Sequence, residues 1–236
     1  VGLAFAMGGV IKGATGAGAP LIAVPVMTSF FDIRFVVAVF VLPNLITNLY
    51  QGVIYRHALK DRLFLMVLCL SAAAGSFAGS LMLYHAASGV LEMMMAGLIM
   101  FYVTFRFANP GWQLSLKTAH KLYPPVGFAA GFLQGAVGIS APASLTFLNA
   151  IRFERSEFIV IVAAFFTTMS IIQLPTLTYL GLMQIKHVVL GSLAIIPLMA
   201  GMPLGAHMLR HASTELFDKI ILLILLGIAI RLVWAL

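Results

Sequence analysis

The sequence is poor in charged residues. Of its 236 residues, 9% are Asp, Glu, Lys or Arg, whereas 62% are hydrophobic. Soluble domains are about one quarter charged and about half apolar. This composition excludes a soluble enzyme, a nucleic-acid-binding domain and a secreted disulfide scaffold. It indicates an integral membrane protein, so the excess of cations, +7 in all, is expected to set topology and to contact lipid headgroups.

Cysteine and carboxylate are also scarce. The one cysteine, Cys69, permits neither an intrachain disulfide nor a CxxC metal site. Glu92 and Asp218 lie only a few residues inside apolar runs, so the mid-span carboxylate that many proton-coupled carriers use is missing. His207 and His211 are four residues apart, but no third metal ligand is evident. We therefore predict no catalytic residue, no metal site and no cofactor. The sequence also lacks a GxxxxGK[ST] nucleotide-binding motif.

Long apolar runs dominate what is present. A helix needs about 20 residues to cross the hydrocarbon of a bilayer. The runs predict an all-α polytopic membrane protein with about eight spans, near residues 2–30, 35–55, 63–84, 89–107, 124–149, 155–180, 187–209 and 214–236. No basic n-region is followed by a small-residue cleavage site, so we predict no secretory signal. Val1 lies inside an apolar run, so we expect a few residues to precede it.

An internal repeat divides the chain. Residues 9–20 read GVIKGATGAGAP and residues 131–142 read GFLQGAVGISAP, and LMLYHAAS (81–88) aligns with HMLRHAST (207–214). The sequence therefore predicts two homologous halves of four spans, residues 1–107 and 124–236, joined by a linker at 108–123. Because four spans return the chain to its starting side, the halves are expected to be parallel repeats.

The glycine-rich copies predict broken helices, because glycine and proline are unfavourable in a helix interior. A break near residues 13–20 would expose backbone N–H groups and the positive end of a helix dipole, which favour anions. Lys12 adds a cation at membrane depth, where a charge has a functional role by default, and the repeat places neutral Gln134 opposite it. Alternatively, the glycines serve close helix packing and Lys12 reaches an interface.

Polar side chains on the second span could line a substrate path. Asn44, Asn48 and Gln51 are spaced by four and three residues, on one face of a helix that should point inward. The matching span of the second half carries Thr167, Thr168, Ser170 and Gln173. The alternative is that these groups only make interhelical hydrogen bonds.

The positive-inside rule gives an orientation. Seven cations are expected on the cytoplasmic side, together with both termini, and five on the other side. The first set is Arg56, Lys60, Arg62, Arg106, Lys117, Lys121 and Lys186, and the second is Arg34, Arg152, Arg155, Arg210 and Lys219.

The segments GGVIKGATGAGAPLIAVPVM (8–27) and VVAVFVLPNLITNLYQ (36–51) resemble the TauE/SafE family of sulfite exporter or anion permease-like proteins. The resemblance covers essentially the whole chain, although the second copy departs from the first at Ile139 and Ser140. It implies a multi-pass transporter of the bacterial inner membrane for sulfur oxyanions or organosulfonates, such as sulfite or sulfoacetate.

The leading hypothesis is a secondary transporter, with export as the favoured direction, of a small sulfur-containing anion. A passive anion channel and a non-transporting subunit of a membrane complex are the alternatives. The expected partners are the anion and the lipid bilayer, with no nucleic acid, and a homodimer is left open. The predicted substrate-binding residues are Lys12, Gly13, Thr15, Gly16, Gly18, Asn44, Asn48, Gln51, Gln134, Gly135, Gly138, Ser140, Thr167 and Gln173.

Overall fold

The computed structural model describes residues 1–109, 111–211 and 214–234, and no strand occurs within them. Ten α-helices follow one another, with one short 3₁₀ turn at Arg56–Ala58. Their bounds are α1 Gly2–Thr15, α2 Ala19–Thr28, α3 Ile33–Tyr55, α4 Arg62–His85, α5 Ser88–Ala108, α6 Leu116–Val137, α7 Ala141–Ala150, α8 Arg155–Tyr179, α9 Ile185–His211 and α10 Thr214–Trp234.

Five helical stretches in the described part of the chain are long and apolar enough to cross a membrane, judged by length and composition. They are Ile33–Ala58, Arg62–His85, Ser88–Ala108, Arg155–Tyr179 and Ile185–Met208, and shorter apolar stretches occupy Ala19–Thr28 and Ile221–Arg231. The prediction of an all-α polytopic membrane protein is confirmed.

The first glycine-rich segment is a helical hairpin. Gly16 ends α1 with φ of 79°, and Gly18 precedes α2 with φ of 92°, so the turn uses two left-handed glycines, one on each side of Ala17. A Cβ on Gly8 would lie 3.0 Å from the carbonyl oxygen of Ala19 and 3.2 Å from the Cβ of Ala23. In one continuous helix, positions 8 and 23 would be about 22 Å apart. Therefore α2 folds back along α1.

The second glycine-rich segment reverses direction in the same way. Gly138 ends α6 with φ of 73°, and α7 begins at Ala141. The end of α7 returns towards the start of α6, because the amide of Leu114 donates to the carbonyl of Ala150 at 2.9 Å.

Contacts between loops define two ends of the helix bundle. At the end that we call the basic end, Lys60 lies 3.0 Å from Glu154, and the rings of Phe64 and Phe153 are 5.6 Å apart. The hydrogen bond to Glu154 raises the pKa of Lys60, so its ammonium stays charged at neutral pH. These contacts place the connections α3–α4 and α7–α8 at the basic end. The α5–α6 connection lies there too, because Leu114 bonds to Ala150 at the end of α7.

The opposite end holds the connections α2–α3, α4–α5 and α8–α9. The guanidinium of Arg34 donates to the carbonyls of Leu83 and Ala86 and to Ser88 Oγ. Phe35 contacts His187 at 5.2 Å between ring centroids, and Arg231 donates to the carbonyl of Ser29 at 3.0 Å. Six helices, α3, α4, α5, α8, α9 and α10, run between the two ends.

The two hairpins enter the bundle from opposite ends. Gly9 and Gly13 of α1 pack on the backbone of Leu198 and Met202 in α9, so α1 runs parallel to α9, from the opposite end inwards. Gly131 and Gly135 of α6 pack likewise on α4, at Ala72 and Ser76, so α6 enters from the basic end. These glycines allow backbone contact in which a Cβ would collide.

This arrangement corrects three predictions. The segments 2–30 and 124–149 are hairpins and not single spans, because left-handed glycines reverse the chain at each break. Helices α1–α5 therefore lead from the opposite end to the basic end, and helices α6–α10 lead back again. The two series run in opposite directions, so the predicted parallel relation is wrong. The predicted grouping of cations is also wrong in part. Arg152 and Arg155 lie at the basic end, together with most of the set predicted to be cytoplasmic. Lys186 and both ends of the described chain, predicted to belong to that set, lie at the opposite end.

The predicted linker 108–123 is only partly a loop. Residues 116–123 form the first two turns of α6, because the Ser115 side chain caps that helix by accepting from the amide of Thr118.

Candidate functional site

The tip of the first hairpin borders a cavity of about 400 Å³. Thr15, at the end of α1, and Gly18 and Leu21, at the start of α2, form one wall. In the first turn of α2, Pro20 has no N–H and the amide of Leu21 donates to the carbonyl of Gly18 at 3.0 Å, which leaves the Ala19 amide without an intrahelical partner. Gly18 is the N-cap of α2 and offers no side-chain acceptor to it. The Thr15 hydroxyl is already used, because it donates to the carbonyls of Ile11 and Ala17. The hairpin thus presents a positive helix end to the cavity.

Three arginines line the same cavity from the basic end. Arg106 is in the last turn of α5, Arg152 follows α7, and Arg155 begins α8. Arg152 and Arg155 are exposed, and no ion pair or side-chain hydrogen bond engages them within the described residues. The side chain of Asn149 lies beside them. Among the residues whose side chains the structure describes, no Asp or Glu lines the cavity, and the arginines make its field favourable to anions.

The rest of the wall is apolar. It is formed by α1, α7, α8, α10 and the α7–α8 loop, through Ile11, Ala14, Leu145, Leu148, Phe153, Phe158, Ile221 and Leu222, with Tyr102 of α5 beside Arg106.

Lys12 lies outside this lining, in the buried interior. Its side chain is 1% exposed, and its ammonium donates to Asn48 Oδ1 at 2.6 Å. The Asn48 amide donates in turn to the backbone and side-chain oxygens of Asn44, and Asn44 Nδ2 donates to Ser170 Oγ at 3.0 Å. This chain of bonds links α1, α3 and α8. No carboxylate pairs with Lys12 within the described residues.

The second hairpin has a neutral counterpart to this arrangement. Gln134 is buried, and its Oε1 accepts from Ser140 Oγ at 3.2 Å. Ser140 therefore makes no side-chain cap for α7, although it is the N-cap residue. Gln173 Nε2 of α8 donates to the carbonyl of Gln134 at 3.2 Å. This network ties the tip of the hairpin to α8.

Other predicted site residues are spread around these two networks. Gln51 is buried, and its Oε1 has no hydrogen-bond partner within the described residues. Thr167 is half-buried on α8. Gly13 and Gly135 face neighbouring helix backbones, whereas Gly16 and Gly138 are in the turns. Of the predicted set, only Thr15 and Gly18 line the cavity.

The sequence reasoning missed Arg106, Arg152, Arg155 and Asn149 as site residues. For Asn149, Arg152 and Arg155 the signal was the run NAIRFER (149–155), which follows the second glycine motif after six residues and was interpreted as a simple connection between spans. Only the reversal of α7 brings this run to the basic end. Of the histidine pair considered above, the His211 side chain lies outside the described residues, and no cluster of three metal-binding residues occurs among those described.

Comparison with known proteins identifies a family. A family model described as sulfite exporter TauE/SafE matches residues 1–232. No curated protein and no solved structure matches the chain.

Proposed function

Because the chain belongs to the sulfite exporter TauE/SafE family, which comprises membrane transporters and not enzymes, we propose that it loads its anion from the arginine-lined cavity. The anion is sulfite or a related sulfur-containing anion such as sulfoacetate. The observation that carries the proposal is that three arginines and the N-terminus of α2 line one cavity. The arginines attract the anion, and the N–H groups at the hairpin tip replace part of its hydration.

The proposal includes two homologous halves, α1–α5 and α6–α10, of inverted orientation. Their packing partners support this, because α1 packs on α9 as α6 packs on α4, and α5 packs on α10. The hairpin tips also correspond. A Cβ on Gly16 would meet Ile159, and a Cβ on Gly138 would meet Val37, which is the repeat counterpart of Ile159. Inverted repeats commonly transport by rocking one half against the other around a central site.

The distribution of cations supports export. Eight described Lys and Arg side chains are at the basic end and three at the opposite end. The eight are Arg56, Lys60, Arg62, Arg106, Lys117, Lys121, Arg152 and Arg155, and the three are Arg34, Lys186 and Arg231. The positive-inside rule then places the basic end in the cytoplasm. The cavity is thereby accessible from the cytoplasm, where an exporter binds its cargo. In this proposal the membrane is the bacterial inner membrane, and a homodimer stays a prediction.

The test is efflux of labelled sulfite from proteoliposomes that contain the purified protein. We expect saturable efflux and counterflow, in which unlabelled sulfite outside accelerates exchange of the label. The double change Arg152→Asn and Arg155→Gln should lower the rate by about tenfold or more, because two charges at the mouth of the cavity are lost. Arg62→Gln is the matched control, because Arg62 is exposed at the same end but does not line the cavity.

Two results would contradict the proposal. Wild-type efflux by the double variant would remove the cavity from the transport path. Flux that rises linearly with concentration and shows no counterflow would indicate a passive channel instead of a carrier.

A further inference from the structure

The cavity is larger and more apolar than an inorganic oxyanion requires. A sulfite ion has four heavy atoms and takes the room of about two or three water molecules, at about 30 Å³ each. The cavity encloses about 400 Å³, which is within the size range of sites for organic ligands. Most of the space would therefore remain unfilled by sulfite.

The lining divides into a cationic part and an apolar part. The guanidinium groups and Asn149 are at the basic end, whereas aliphatic and aromatic side chains of α1, α7, α8, α10 and the α7–α8 loop form most of the remaining wall. Those that matter here are Leu145, Leu148, Phe158, Ile221 and Leu222. Such side chains offer an oxyanion no hydrogen bond in exchange for its lost hydration. They do favour the burial of methylene or aromatic groups.

We infer that the cavity selects an organic anion that carries an apolar body, aliphatic or aromatic, behind its oxyanion head. The head is held by the arginines and the N-terminus of α2, and the body covers the apolar wall. The shared chemistry is a sulfonate or carboxylate head on an apolar chain. This inference rests on the proposed function and narrows its substrate class.

The test is competition with labelled sulfite in proteoliposome counterflow, using straight-chain alkanesulfonates from one to six carbons. Affinity should rise by up to about fourfold for each methylene that is buried. Hexanoate should compete as well as hexanesulfonate if the site accepts any oxyanion as the head group. It should compete weakly if the site requires a sulfonate. Hexan-1-ol and hexylammonium should compete poorly, because they lack the negative charge. Protein-free liposomes correct for partition into lipid.

A variant separates the apolar wall from the anion-binding part. Phe158→Ala should flatten the dependence of affinity on chain length and leave competition by methanesulfonate within about twofold of wild type. Phe158→Leu should restore most of the dependence. Phe101→Ala is the control, because Phe101 is 68% exposed on α5 and does not line the cavity.

The outcomes are distinguishable. Equal competition by methanesulfonate and hexanesulfonate would overturn the inference and leave the proposed function standing. Competition by hexylammonium as strong as that by hexanesulfonate would also overturn it, since the charge would then play no part. Absence of any sulfite counterflow by the wild-type protein would instead overturn the proposed function.

Discussion

At the scale of single residues, Lys12 is a buried cation whose only described hydrogen-bond partner is the neutral side chain of Asn48. Lys12→Gln should leave thermal stability unchanged or raised, because an unpaired buried charge is costly and Gln134 already occupies the equivalent place. Transport should fall by about tenfold, the loss expected when one charged hydrogen bond is removed. The measurements are thermal melting and sulfite efflux at matched protein amounts. Lys12→Arg, which keeps the charge, should retain more activity than Lys12→Gln, and wild-type efflux by Lys12→Gln would contradict a role in transport.

Arg152 combines a charge in the cavity with an unusual backbone. Its φ of 58° is left-handed, a conformation in which Asn is enriched among non-glycine residues. Arg152→Asn should therefore keep the melting temperature while it weakens anion affinity by about threefold to tenfold at low salt. The loss should shrink as ionic strength rises, since exposed charges are screened. Arg62→Gln should show neither effect, and equal losses in both variants would indicate a general surface potential and not a local contact.

The residue patterns predicted burial better than they predicted the cavity. The spacing of Asn44, Asn48 and Gln51 placed them on an inward face, and all three are buried. Whether they bind substrate stays a prediction. Arg152 and Arg155 could not be assigned to a site in the same way. An arginine after an apolar run has the pattern of a solvated loop, and only the direction of the preceding helix decides where it lies.

At the scale of elements, the glycine and proline content of the two motifs predicted breaks in α-helix but not reversals. A break and a hairpin need the same residues, and the apolar runs at 2–30 and 124–149 are long enough for one span each. The difference lies in the backbone angles of the residues at the turn, such as Gly16 and Gly18. Composition does not determine those angles, because glycine adopts left-handed and right-handed conformations about equally.

Gly16→Ala tests the first turn. The alanine would have to adopt φ of 79°, and its Cβ would lie 2.8 Å from Ile159 Cγ1. We expect a loss of about 1–2 kcal/mol in stability from the backbone alone, seen as a lower melting temperature. Gly97→Ala is the matched control in α5, where a Cβ meets nothing within 4 Å, and it should stabilise by about 0.5–1 kcal/mol. Equal melting temperatures for the two variants would show that Gly16 is not left-handed.

At the scale of the whole molecule, the hairpins determine which loops share a side of the membrane. In a Cys69→Ser background, Glu154→Cys and Gln113→Cys should react with a membrane-impermeant thiol reagent from the same side. Tyr179→Cys should react from the other side only. Glu154 is suitable because its side chain is 71% exposed, and losing an exposed ion pair costs little. Labelling of Glu154→Cys from the side opposite to Gln113→Cys would restore the single-span interpretation of 124–149, in which Tyr179→Cys would share the side of Gln113→Cys.

The inverted arrangement gives each half a hairpin, but the two hairpins differ in chemistry. Lys12 occupies the first, and neutral Gln134 the second. At the basic end the first tip faces a cavity with three arginines. The repeat counterparts of Arg152 and Arg155 at the opposite end are Phe30 and Ile33. Cationic attraction is therefore stronger at the basic end, where eight described cations lie against three at the opposite end, which suits a protein that binds an anion on one side and releases it on the other.

The most direct test is the location of a bound anion in crystals grown with selenite, whose heavier central atom can be found by anomalous scattering. Our account predicts a peak inside the cavity, within hydrogen-bond distance of Arg106, Arg152 or Arg155 or of the first-turn amides of α2. An anomalous peak at the tip of the α6–α7 hairpin alone, or no peak at saturating selenite, would contradict it.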